Sequence, residues 1–100
     1  MNSEIWKRFS LAKQIGNIGS ELSRAGHWDR RQDRESRNQA LERALVLLDL
    51  TLNDARWRGR LKELARLREV ICDWYADQGE YDISPDALEA YYTSFALLTR

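Results

Sequence analysis

Histidine occurs once in this 100-residue chain, at His27, and cysteine once, at Cys72, which bounds the available chemistry at once. A three-histidine zinc site and the Glu-x-x-His pairs of di-iron bundles both need more than one imidazole. A nucleophilic cysteine would need His27 as its base, yet Cys72 follows Ile71 on a segment of packing character and reads as a small buried hydrophobe. No metal site, no cofactor and no catalytic constellation is expected, and the chain reads as non-enzymatic.

Carboxylates and guanidiniums are the remaining candidates. Asn17, Glu21, Arg24 and Trp28 recur at helical spacing along one line, and Asp49 interrupts the apolar run Leu47-Leu48-Asp49-Leu50. A carboxylate in such a run faces solvent or is paired, because an isolated buried charge is very costly. Arg66 and Arg68 are its candidate partners. Asn17, Glu21, Arg24, Asp49 and Arg68 therefore make a candidate polar network, read either as structural salt bridges or as the lining of a ligand pocket. Catalysis by Glu21 or Asp49 would require a raised pKa.

Arginine outnumbers lysine thirteen to three. One cluster is Arg30, Arg31, Arg34 and Arg37; a second, Arg56, Arg58, Arg60 and Lys62, is the candidate anion-binding set. The planar guanidinium fork suits phosphate, and cations at the start of a helix oppose its dipole, so an anionic partner such as nucleic acid would relieve a local conflict. The bland reading is a solvated surface. Asp29, Asp33, Glu35 and Asp54 dilute both clusters, and a helix of about 20 residues, roughly 30 Å long, holds them at opposite ends.

Small residues mark a third feature. Gly16, Gly19, Ser20, Ser23 and Gly26 fall within one helical segment, where each interior glycine costs about 0.5–1 kcal/mol relative to alanine. Close backbone approach would offset that cost, against a neighbouring helix of the same chain or across a symmetric seam. With Trp28 as an aromatic anchor, these residues form the candidate interface.

The elements that must position these groups are helical. Ser10 caps a first helix running to about residue 31, with Leu11, Ile15, Ile18, Leu22 and Ala25 on one face. Trp6 and Phe9 lie in a short lead before it. Asp33 caps a second helix through about residue 53, with Ala40, Leu41, Ala44, Leu45, Leu48 and Leu52 inward and Leu47 and Leu50 widening the stripe. After a reversal at Asn53, Asp54 and Gly59, a third helix spans about 57–78, turns Leu61, Leu64, Leu67, Ile71 and Trp74 inward, and stops at Gly79. Ser84, Pro85 and Asp86 start a fourth, carrying Leu88, Tyr91, Tyr92, Phe95 and Leu98. Short connections between them favour antiparallel neighbours. The expected fold is all-α, an antiparallel up-down four-helix bundle forming a single domain over residues 1–100.

Hydrophobic residues make up 43% and charged residues 32%, too apolar a balance for intrinsic disorder. No run approaches the length of a membrane span and the N-terminus lacks a signal-peptide core, so neither membrane insertion nor secretion is expected. One unpaired cysteine fits a reducing compartment, and the expected location is cytoplasmic. Zero net charge hides an asymmetry: residues 1–72 hold fifteen Lys/Arg against ten Asp/Glu, and residues 73–100 hold one against six.

The runs Gly16-Asn17-Ile18-Gly19-Ser20-Glu21, Ala40-Leu41-Glu42-Arg43-Ala44, Leu47-Leu48-Asp49-Leu50-Thr51, Arg60-Leu61-Lys62-Glu63-Leu64 and Arg66-Leu67-Arg68-Glu69-Val70 resemble a small prokaryotic family of helical-bundle proteins. The likeness covers nearly the whole chain. That family has no assigned activity, so the resemblance implies a fold and no reaction. More loosely, the chain is similar to HEPN-type bundles, many of which act on or near RNA. Their ribonuclease motif places an arginine shortly before a histidine; the positions so placed before His27 are Ser20, Glu21 and Leu22, so that motif is absent. The functional expectation is a self-associating or protein-docking helical module, with a nucleic-acid-associated bundle as the alternative.

Overall fold

A computed structural model describes residues 2–77 and residue 90, and every regular element among them is helical. The order is α1 (Ser3–Lys7), α2 (Leu11–Arg30), α3 (Arg34–Leu52), a 3-10 helix (Ala55–Arg60) and α4 (Leu61–Ala76). The expected helix beginning at Ser84, and the expected stop at Gly79, lie outside the described residues.

Side-chain caps account for the starts. Asn2, Ser10 and Asp33 each accept a hydrogen bond from the backbone N–H three residues on, at 2.9, 3.1 and 3.0 Å, filling donors that the first helical turn leaves empty. The expected caps at Ser10 and Asp33 are thus observed. The lead before Ser10 is more ordered than expected: the Asn2 cap winds it into α1, which buries Trp6 completely.

The third expected helix begins later than residue 57. Asp54 accepts from the Arg56 N–H at 3.0 Å, which tightens the following residues into the 3-10 turn that drives Trp57 into the core. Regular α-helix resumes only at Leu61, and Leu61, expected inward, is 40% exposed at that start. α4 ends at Asp77, whose left-handed φ of 54° breaks the helical hydrogen-bond register. Aspartate tolerates that region better than most side chains.

α2 and α3 form an antiparallel hairpin. Near their connection Arg37 pairs with Asp29, midway Arg43 pairs with Glu21, and at the far end Gln14 bonds Asp54. α4 returns along the other side of α3, where Asp49 meets Arg68 and Glu42 meets Tyr75. α3 is therefore the central helix of this layer, as the width of its apolar stripe implies. The core joins Ile15, Ile18, Leu22 and Ala25 of α2, Ala40, Leu41, Ala44 and Leu48 of α3, and Leu64, Leu67, Val70 and Ile71 of α4 to Trp6 and Trp57. Burying each large aliphatic chain stabilises the fold by about 1.5–3 kcal/mol. Among the described residues, no helix is long and apolar enough to cross a membrane.

Candidate functional site

The candidate interface residues divide by their position around α2. Ile15, Ile18, Leu22 and Ala25 define the inward direction; Gly19 and Gly26 are buried beside them. Gly16, Ser20 and Ser23 are exposed on one flank, and half-buried Trp28 lies on the other. Gly16 is the informative position. A methyl group built there would meet no atom of the described residues within 4 Å, so their packing does not require glycine. Ser20 one turn later folds its hydroxyl back onto the Gly16 carbonyl at 3.1 Å, which keeps that flank low and smooth.

The candidate polar network separates into two pairs held on opposite edges of α3. On the α2 side, Glu21 takes Arg24 Nη1 at 2.7 Å and Arg43 Nε at 2.9 Å, and its side chain is only 13% exposed. Asn17 is half-buried one turn before it. On the α4 side, Asp49 accepts from Arg68 Nε at 2.7 Å, the partnership expected from sequence, and Arg68 also reaches Cys72 Sγ at 3.6 Å. Between the edges runs the outer face of α3. A shallow groove of about 520 Å³ lies along it, lined by Glu21, Gln39, Glu42, Arg43, Val46 and Leu47. Val46 is 56% exposed, the most exposed large hydrophobic residue described.

The anion-binding candidates differ sharply in how they are engaged. Arg56 clamps Asp54 at 2.7 Å and donates to the carbonyls of Lys7 and Phe9 at 3.0 and 2.8 Å. Its guanidinium thereby ties α1 to the 3-10 turn. Arg58 and Lys62 are exposed, and Arg60 sits 3.6 Å from Glu63. In the other arginine cluster, Arg37 is buried and grips Asp77 through both nitrogens at 3.0 and 3.2 Å, touches Asp29 at 3.4 Å and lies over the Trp74 ring. Arg34 adds a contact to Asp77 at 2.7 Å. The Arg37 hydrogen bonds hold the Asp77 carboxyl below its usual pKa. They also lock the residue whose left-handed backbone ends α4.

One polar cluster was missed by the sequence reading. Gln14, completely buried, donates from Nε2 to the Trp6 carbonyl at 2.9 Å and to Asp54 Oδ2 at 3.1 Å, and accepts from Trp57 Nε1 at 2.7 Å. Trp6 Nε1 donates to Thr51 Oγ1 at 2.9 Å, and that hydroxyl donates to the Leu47 carbonyl at 2.8 Å. The Arg56 hydrogen bond, reinforced by the Arg56 N–H and Gln14, holds Asp54 at a pKa of about 2. Every buried side-chain nitrogen and oxygen among the described residues has a partner, so this cluster is a closed structural lock. Its one available signal was Gln14 at an apolar-stripe edge in a chain with four indoles. Among the described residues no three of His, Cys, Asp and Glu come together to hold a metal ion. No protein-family model matches the chain, and no curated protein or solved structure matches it either.

Proposed function

We propose that this chain is a non-enzymatic, cytoplasmic interaction module that completes an antiparallel up-down four-helix bundle and self-associates or docks a protein partner through α2. The observation that carries the reading is Gly16. Glycine there weakens the helix by about 0.5–1 kcal/mol, and no packing within 4 Å among the described residues compensates. A second helix lying against Gly16 and Ser20 would compensate through close backbone contact. The resemblance to a helical-bundle family accords with this reading and adds no reaction to it.

Position 16 also gives the cleaner test. Gly19 is buried, so a bulky residue there would strain the core; Gly16→Leu enlarges only the surface. The variant is expected to keep its helical circular dichroism and lower its native mass, or to lose a captured protein partner. Unchanged mass and unchanged partner binding would refute the α2 surface.

Exposed Arg58 and Lys62 keep nucleic-acid binding as the second reading. It requires affinity that falls steeply with salt as neutralised phosphates release counterions. Arg58→Glu together with Lys62→Glu should then abolish it, and binding that ignores salt would contradict it.

A further inference from the structure

The outer face of α2 carries basic residues toward both ends and no carboxylate among the described residues, and we infer that its occupant is an acidic helix of a different protein. The inference rests on the reading of α2 as a docking surface and names the chemistry of the partner.

Helix geometry selects the residues. Each step along α2 turns by about 100°, so the buried line of Ile15, Ile18, Leu22 and Ala25 fixes the inward direction. Lys13, Gly16, Ser20, Arg24 and His27 then lie within about 40° of the opposite, outward line, and the cap residue Arg31 continues it. All six are exposed. Lys13 is steadied over the Phe9 ring at 4.5 Å, and the Arg24 side chain keeps 58% of its surface open while bonding Glu21.

Neither carboxylate of α2 stands on that arc. Glu21, only 13% exposed, turns toward α3, where Arg43 also holds it; Asp29 turns inward to Arg37. Half-exposed Arg43 adds a further cation at the rim.

Charge decides between occupants. A two-fold pairing of this face with itself, whatever its register, sets its basic residues opposite basic or neutral ones and offers no opposite charge to answer them. Charge complementarity therefore selects a foreign acidic partner. The cations are also discontinuous: about 16 Å of small and neutral residues, Gly16, Asn17, Ser20 and Ser23, separates Lys13 from Arg24 along the outer face. A nucleic-acid duplex presents a phosphate about every 1.7 Å along its axis and would leave that stretch unanswered. The low centre, where Ser20 folds onto the Gly16 carbonyl, instead admits a helix backbone at close range. The fitting partner is a helix with small residues at its middle and carboxylates toward its ends.

The test uses the full chain and a labelled, alanine-rich helical peptide of about 21 residues, long enough to span Lys13 to Arg31. It carries glutamates on one face near both ends; versions with glutamine or lysine in their place are the comparisons. Fluorescence anisotropy should show the glutamate peptide binding, weakening as salt rises, and the glutamine peptide binding at least about tenfold less tightly. Lys13→Glu combined with Arg24→Glu, both at exposed positions, should lose the glutamate peptide and gain the lysine peptide. Gly16→Leu, which leaves charge unchanged, should weaken the glutamate peptide as well. Circular dichroism establishes that each variant is folded.

Equal affinity for the glutamate and glutamine peptides, or binding of neither, would overturn the acidic partner. Tighter binding of a single-stranded thymidine oligonucleotide, lost in the same double variant, would overturn it in favour of phosphate. A wild-type dimer that Gly16→Leu dissociates would overturn it too, while leaving α2 as the docking surface. No effect of Gly16→Leu on native mass, partner binding or peptide binding would overturn both readings.

Discussion

Replacing Gln14 with leucine removes a side chain that joins α1, α2 and the 3-10 turn, and the cost can be worked from its partners. Trp57 Nε1, otherwise 2.7 Å from the amide oxygen, loses that acceptor, and the Trp6 carbonyl, 2.9 Å from the amide nitrogen, keeps the Phe9 N–H at 3.1 Å. Asp54 loses its contact at 3.1 Å but keeps Arg56. Losing the partner of one buried donor costs about 1–3 kcal/mol, against a total stability of about 5–15 kcal/mol for a domain. Urea unfolding followed by circular dichroism, with tryptophan fluorescence as a second probe, measures the difference. A loss below about 1 kcal/mol would refute the claim that these bonds form one closed network.

Three further expectations follow from the same geometry. Asp54 titrates at about 2 instead of the ordinary 3.8, so its stabilisation, about 2 kcal/mol, is complete above the unfolded-state pKa and fades as pH falls from about 4 to about 2. Urea midpoints across that range should fall less steeply for Asp54→Asn than for the wild type, while half-buried Asp33 and exposed Asp77, also lowered, leave a residual slope. Arg37→Met should lower stability by about 1–3 kcal/mol, since the carboxylates left behind at Asp29 and Asp77 are partly solvated; Arg37→Lys should recover only part, having no planar fork. Gly16→Ala should raise the melting temperature of the monomer, by an amount equivalent to about 0.5–1 kcal/mol, because a methyl meets no atom of the described residues and backbone freedom in the unfolded chain falls.

Amphipathic periodicity made α2 and α3 legible to within a residue or two, because capping residues bracket each stripe and Ser10 and Asp33 do what their chemistry implies. The Asp49–Arg68 pair was equally readable, since an aspartate in a leucine run demands a cation and α4 supplies one. Less was legible where tertiary contacts override local pattern. α1 reads as a short lead containing Trp6 and Phe9, and the Asn2 cap and the burial of Trp6 make it a helix. Trp57 reads as the start of a helix, but its burial beside Gln14 and the Asp54 turn hold those residues in a tighter coil. Arg56 looked like surface charge; its role in binding carbonyls from the α1 end depends on a contact 47 residues away in sequence, which no local pattern encodes. The split of the small-residue strip into buried Gly19 and Gly26 and exposed Gly16 and Ser20 likewise required the hairpin's rotation about α2.

The most direct test of the interaction-module reading is light scattering in line with size exclusion, on gently purified protein at low salt, with absorbance recorded at 260 and 280 nm. The proposal requires a dimer or larger assembly, or a co-purifying protein, free of excess 260 nm absorbance. A monomer carrying nuclease-sensitive 260 nm absorbance would contradict it and move Arg58 and Lys62, with nucleic acid as their partner, to first place.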